Sequence, residues 1–168
     1  MNVNTIEKDD IYYMNIAIEE AKSAFDAGEV PVGAVVVCEG KIISKAFNTR
    51  ETGKNALYHA ECKAIDQACK TLGGWRLHKC DIYVTLEPCP MCAGAIVNAR
   101  IKRVVFGAKD SKAGAFGSVF NINDLPLNHK VECVGGICEK ECSKLLSDFF
   151  LDLRTRNNKT AERINNNI

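Results

Sequence analysis

The chain has 168 residues, 46% apolar and 26% charged, with a net charge of +1. That length makes one ordinary domain burying roughly two-thirds of its unfolded surface, and it is long for a disulfide-stapled miniprotein. No apolar run approaches the ~20 residues that cross a bilayer. The first ten residues carry neither a basic start nor an apolar stretch, so no signal peptide and a cytoplasmic location are expected.

Residues 8–27 predict an amphipathic helix with Ile11, Met14, Ile18, Ala21 and Phe25 on its apolar side and Gly28 as its stop. Residues 30–38 are apolar and β-branched, Glu39-Gly40 turns the chain, and 41–48 form the second strand of a hairpin. A helix is predicted over 59–72, closed by Gly73-Gly74, then a short buried strand over 81–86. The next helix, 90–98, has proline at its first position, where a missing N–H is harmless. A strand at 103–107, a fifth at 130–133 and a closing helix over 139–153 complete the order. From Arg154 the composition turns to Asn, Arg and Lys, and Asn165 to Asn167 predict a frayed end. The sum is an α/β fold of three layers, α/β/α, with a central mixed five-stranded sheet and parallel neighbours after residue 59. A single domain over 1–153 and a polar tail over 154–168 are expected.

His59-Ala60-Glu61 is answered by Pro88-Cys89-Pro90-Met91-Cys92. One imidazole and two thiolates make three ligands for Zn²⁺ and leave the fourth tetrahedral position to water, as in catalytic zinc sites. Cys89 and Cys92 are three apart, so at a helix start they share a face, and the free N–H groups there favour thiolates. H-x-E…P-C-x-x-C is the signature of zinc-dependent deaminases of bases and nucleosides. Zinc acidifies water, and Glu61 is placed to carry its proton to a ring nitrogen and then to the leaving ammonia while the water attacks the amine-bearing ring carbon. A purely structural zinc would want a fourth protein ligand. Cys62 is the nearest candidate, but one position along the helix it is expected to point elsewhere, and Glu61 would go unused. His78 and His129 read as surface or loop residues.

Nine cysteines without a secretory signal read as reduced thiols. Outside the zinc motif, Cys38, Cys62, Cys69, Cys80, Cys133, Cys138 and Cys142 read mostly as small buried hydrophobes. Arg100, Lys102, Arg103, Lys109 and Lys112 cluster after the motif, and Arg154, Arg156, Lys159 and Arg163 lie in the tail. Such groupings suit a phosphate backbone or a solvated basic face.

Further blocks occur in order: Glu29-Val30-Pro31-Val32-Gly33-Ala34, Phe47-Asn48, Val84-Thr85-Leu86-Glu87-Pro88 leading into the cysteines, and Arg103-Val104-Val105-Phe106-Gly107-Ala108-Lys109-Asp110. Gly114, Gly117-Ser118, Asn128-His129 and Leu145 to Phe150 follow. From about Tyr12 to Phe150 the chain resembles the bacterial tRNA-specific adenosine deaminases, within the cytidine/deoxycytidylate deaminase superfamily. The resemblance implies the cytidine-deaminase-like fold and hydrolytic conversion of adenosine to inosine at the wobble position (34) of a tRNA, an arginine tRNA in this family. It implies one Zn²⁺ per subunit on His59, Cys89 and Cys92, with water attacking C6 and Glu61 as proton shuttle. It implies that Asn48 hydrogen-bonds the flipped purine and Val30 packs on it. Asp110 and Lys112 would meet sugar and phosphate, with Phe149 and Phe150 near a flanking base and Phe149 as the ring that binds it. It implies a homodimer that binds an anticodon stem-loop, consistent with the reading of unstacked loop bases by stacking and polar contact. Two positions depart from the family pattern: Cys62, where an aliphatic residue is usual, and Leu151, where a basic one is.

Three rivals share parts of this pattern. A deaminase of free guanine or cytosine in salvage needs no basic RNA surface. A riboflavin-synthesis deaminase is usually fused to a reductase domain, for which this chain has no room. A non-catalytic nucleic-acid-binding module has no use for Glu61.

Overall fold

The computed structural model describes residues 3–165. Its elements are α1 (Val3–Asp26), β1 (Gly33–Cys38), β2 (Lys41–Phe47), α2 (Ala60–Leu72), β3 (Cys80–Leu86), α3 (Pro90–Asn98), β4 (Arg103–Ala108), a 3₁₀ turn (Ile122–Asp124), β5 (Glu132–Gly135) and α4 (Glu139–Asn165). The strands form one sheet in the order β2-β1-β3-β4-β5. β1 runs antiparallel to both β2 and β3, whereas β3, β4 and β5 are parallel.

Strand alternation sorts the core into two layers. Ala34, Val36, Ile82, Val84, Val104 and Phe106 face one side and meet Ala64, Ile65 and Ala68 of α2 and Ala93, Ile96 and Val97 of α3. Val35, Val37, Tyr83 and Val105 face the other and meet Met14, Ala17 and Ile18 of α1 and Cys142 of α4. A polar knot ties α1 to the sheet under this second layer: the Arg103 guanidinium donates to both oxygens of buried Asp10 at 2.9 and 2.7 Å and to Asp81 Oδ2 at 3.1 and 3.0 Å. One guanidinium thus serves both acids, and the Tyr83 hydroxyl donates to Asp10 at 2.8 Å.

Sequence boundaries hold to within about three residues except at the two outer helices: α1 begins at Val3, five residues before the predicted start at 8, and α4 overruns its predicted end. β5 is shifted two residues past the predicted 130–133, because Val131 is tucked into the core by bonds to the Asn123 side chain before pairing begins. α4 runs on to Asn165, past the predicted stop at 153. Nothing after Leu153 breaks a helix, since Gly and Pro are absent there, and Arg156 pairs with Asp152 one turn back at 2.6 Å. Asn166 and Asn167 of the predicted frayed end, and the side chains of Lys159 and Arg163, lie outside the described residues.

Gly33 opens β1 where α1 crosses it. A Cβ built there would stand 2.0 Å from Ala17 O and 2.5 Å from Ala21 N, both backbone atoms that cannot swing away. Gly33→Ala is expected to destabilise the protein by about 1–3 kcal/mol through overpacking. At roughly 2–4 °C per kcal/mol for a chain of this size, that lowers the Tm by about 2–12 °C. An unchanged thermal melt would refute the close approach.

Candidate active site

β3 and β4 both end, at their carboxyl ends, in loops that flank the amino ends of α2 and α3. Crevices at that edge of an open α/β sheet are where ligands bind. His59 and Cys89 are the N-cap residues of α2 and α3, and neither side chain caps its own helix. Both are therefore free for another partner. Pro90 starts α3, and Cys92 follows one turn after Cys89 on the same face.

The ring nitrogen His59 Nδ1 lies 3.7 Å from Cys89 Sγ and 3.5 Å from Cys92 Sγ. The three donor atoms all lie within 4.8 Å of one another and could hold a metal ion. The donors are also electronically prepared. Cys89 is held low, at about 4, chiefly by the hydrogen bond from the Cys92 thiol and then by His59 and the Cys92 N–H, while burial works against it. His59 is raised by its bond to Cys89, against the opposing effect of burial. The Cys89 thiolate stands ready to meet a cation, which would displace any proton that the facing His59 nitrogen carries. Cys62, expected to point away, sits with its Sγ 3.8 Å from Cys92 Sγ, although it does not join the convergent group. The first turn of α2 is wound so that its third residue reaches back over Cys92.

Glu61 is buried, at 4% exposure, and lines a cavity of about 130 Å³ together with His59, Cys89, Val30, Asn48 and Asp110. Burial pushes its carboxyl pKa up, against the lowering effect of His59. A carboxyl raised in this way beside donors for a metal is suited to take and return a proton.

Two more buried carboxylates, Glu29 and Glu87, shape the rim, and sequence reasoning missed both, along with Arg50, which also lines the cavity. Glu87 accepts from the backbone N–H groups of Asp110, Phe116 and Ser118 at 3.2, 3.0 and 3.0 Å and from the Ser118 hydroxyl. It pins the loop after β4 to the end of β3, and these bonds outweigh burial to lower its pKa. Gly114 allows the approach, because a Cβ there would lie 2.4 Å from the Glu87 carboxyl. On that loop Asp110 accepts from the N–H groups of Lys112 and Ala113 at 2.9 and 3.1 Å. Glu29 holds the opposite rim by accepting from Thr52 N at 2.6 Å and Thr52 Oγ1 at 2.8 Å.

Other expected site residues fall differently. Phe149 is 7% exposed and packs edge-on against Phe25 at 5.5 Å, so the open ring of the pair is Phe150, at 45%. The basic cluster is split by β4. Lys102 and Arg103 stand at its start, with Arg103 spent on Asp10 and Asp81, while exposed Lys109 and Lys112 follow its other end, roughly 20 Å away at about 3.3 Å per residue. Arg100 donates to Asn128 at 2.9 Å. His129 bonds to Ile101 O at 2.7 Å and His78 is exposed, both outside the donor group. Of the seven other cysteines, Cys80 and Cys142 are buried and the rest half-buried.

The family model of the MafB19-like deaminases matches residues 8–154. The chain is 52% identical over 157 residues to the tRNA-specific adenosine deaminase of Bacillus subtilis (strain 168), covering 93% of this chain and 96% of that protein. It is also 52% identical over 144 residues to the tRNA-specific adenosine deaminase of Aquifex aeolicus (strain VF5), covering 85% and 95%. A solved structure from studies of A-to-I editing by tRNA:A34 deaminases at the wobble position of transfer RNA superposes with a TM-score of 0.78. The identity there is 41%, and the overlap covers 80% of this chain and 99% of that one.

Proposed function

The chain belongs to the tRNA-specific adenosine deaminases, within the MafB19-like deaminases, and we infer that it converts adenosine to inosine at position 34, the wobble position, of an arginine tRNA. The observation that carries this reading is the extent of the likeness: the 157 aligned residues, 52% identical, take in the loops that rim the cavity as well as the motif that any such deaminase shares.

The metal is zinc. Tetrahedral bonds of ~2.3 Å to sulfur and ~2.0–2.1 Å to nitrogen hold the two donor types about 3.6 Å apart. His59 Nδ1 stands 3.5 and 3.7 Å from the two sulfurs. His59, Cys89 and Cys92 would hold one zinc per subunit, and the ion would supply acidified water at neutral pH. Everything else falls to the chain's own groups. Glu61 takes the proton of the attacking water and delivers it to ring N1 as C6 is attacked. It then takes the second proton, from the new C6 hydroxyl, and gives it to the amine, so the C6–N6 bond breaks, ammonia leaves and inosine remains with its C6=O and N1–H. Val30 packs on the flipped nucleoside and Asn48 hydrogen-bonds it. Asp110 and Lys112 meet sugar and phosphate of the anticodon stem-loop, and Phe150 in place of Phe149 is the ring open to a flanking base.

The deaminase domain spans residues 1–153, with the basic stretch from Arg154 as an extension along α4. Exposed Leu57, Tyr58, Val119 and Phe120 offer apolar surface for a second copy in a homodimer. A cytoplasmic location fits a tRNA substrate, and no described helix is long and apolar enough to cross a membrane.

The test is inosine and ammonia formation by zinc-loaded protein. An anticodon stem-loop with adenosine at the wobble position is compared with free adenosine, cytidine and guanine. Inosine at that one position is expected. Turnover of a free base with the stem-loop untouched would replace this reading by a salvage deaminase.

A further inference from the structure

Glu29 is fully buried, at 0% exposure, and makes no ion pair among the described residues. A carboxylate in that position must collect hydrogen-bond donors. Thr52 N–H and hydroxyl satisfy Oε1; Glu51 N–H at 3.2 Å and the Asn48 side-chain amide nitrogen at 3.3 Å satisfy Oε2. Those bonds lower its pKa in spite of burial, so it is an anion as the protein works.

The consequence falls on Asn48. Its Nδ2 also donates to Val30 O at 3.3 Å, and an NH₂ group has two protons to give. Both are taken, by a carboxylate and a carbonyl. Turning the amide over would set Oδ1 against these two acceptors, so its orientation is dictated by chemistry. Oδ1 accepts no bond within the protein among the described residues, and no fully buried polar side-chain atom there lacks a partner. Asn48 lines the cavity, so it shows the cavity an acceptor and no donor.

An adenosine within an RNA chain has few groups that answer an acceptor. Ring nitrogens N1, N3 and N7 are themselves acceptors, so the bond from Asn48 to the purine that the resemblance implies does not fit this polarity. The exocyclic amine is the leaving group and belongs beside Glu61. The 3′ and 5′ oxygens are esterified. The 2′-hydroxyl is left.

We propose that Glu29 is a positioning residue that commits the Asn48 amide to one polarity, so that Asn48 accepts from the 2′-hydroxyl of the flipped nucleotide and selects ribose over deoxyribose. This rests on the tRNA-editing reading. Glu29→Gln tests it, because Nε2 in place of Oε2 would face the donors of Glu51 and Asn48 and turn the Asn48 amide. Stem-loops carrying adenosine, 2′-deoxyadenosine, 3-deazaadenosine or 7-deazaadenosine at the target position are compared. Wild type is expected to lose about tenfold in kcat/KM on removal of the hydroxyl, the scale of one neutral hydrogen bond, and little with either deaza base. Glu29→Gln is expected to lose a similar factor on the ribose substrate through KM, with kcat nearly kept, and to treat ribose and deoxyribose alike.

A preserved tenfold ratio in Glu29→Gln overturns the proposal, as does a wild type indifferent to the hydroxyl or sensitive to a deaza base. Nitrogen-15 NMR of the zinc-loaded wild type supplies a readout without RNA: the Asn48 side-chain protons should exchange at least tenfold more slowly than those of exposed asparagines. Fast exchange overturns the hold of Glu29. If wild type edits no stem-loop, the editing reading falls, and the sugar assignment with it, while the Glu29–Asn48 polarity is decided by NMR. The substrate series and the NMR need no variant, so a Glu29→Gln chain that fails to fold leaves both decisive.

Discussion

Glu61→Ala is expected to keep one zinc per chain and to lose about 10²–10⁴-fold in kcat on a wobble-adenosine stem-loop, the range for removal of a general acid/base. The two halves of that result separate because Glu61 is outside the donor group of His59, Cys89 and Cys92 yet lines the same cavity. Glu61→Gln should be nearly as inactive. It keeps the volume and the hydrogen-bonding reach of the side chain but cannot hold a proton between two steps. Both variants should also keep KM within a few-fold, since the lost interaction belongs to the transition state and not to ground-state binding. Burial raises the Glu61 carboxyl, so the wild-type rate should fall on the acid side, where the shuttle is already protonated. That acid limb should vanish from the residual rate of Glu61→Gln. Metal content by emission spectroscopy beside single-turnover rates checks each point. A Glu61→Ala protein that retains within tenfold of wild-type kcat would remove Glu61 from the chemistry.

The parts of this site that were legible in the sequence are those made locally. His59 and Glu61 share one helix start and Cys89 and Cys92 another, so spacing along the chain already places their side chains. The strand and helix order was legible because alternating apolar residues mark both faces of each central strand. What could not be read is what the fold assembles. Glu29 looks like a charge in the turn after α1, yet its partners lie 19 to 23 residues on. Glu87 collects donors 23 to 31 residues away. A buried anion satisfied by backbone N–H groups has no sequence signature, because any residue supplies an N–H. A glutamate beside a pocket motif with no lysine or arginine within reach along the chain was the only available hint. The basic cluster misled for the converse reason: five cations near in sequence are divided by a six-residue strand, and Arg103 is consumed inside. Phe149 and Phe150 are adjacent on a helix and so point about 100° apart, which leaves one ring packed and the other open.

Cys92→Ala should abolish zinc binding and turnover, while Cys62→Ala, one sulfur away, should keep both. The contrast is sharp because Cys62 Sγ comes within 3.8 Å of Cys92 Sγ, so proximity alone would admit it as a fourth ligand and close the site to water. A closed four-ligand site is structural, and its loss would unfold the chain. An open three-ligand site makes a different demand on the fold. α2 and α3 are held by Ala64, Ile65, Ala68, Ile96 and Val97 in the core beneath them, which needs no metal. Chelated protein should therefore stay folded by circular dichroism, with a lower Tm and no measurable turnover, and zinc should restore both. The restored stability scales with RT ln(1 + [Zn]/Kd), about 4 kcal/mol at a thousandfold excess over Kd. Affinity should rise with pH, since Cys89 is already a thiolate whereas Cys92, held up by its bonds to Cys62 and Cys89, and His59 must each give up a proton to the ion's charge. If Cys62→Ala loses zinc along with Cys92→Ala, or the chelated chain unfolds, the metal is a clamp with four protein ligands, and the water that Glu61 deprotonates has nowhere to sit.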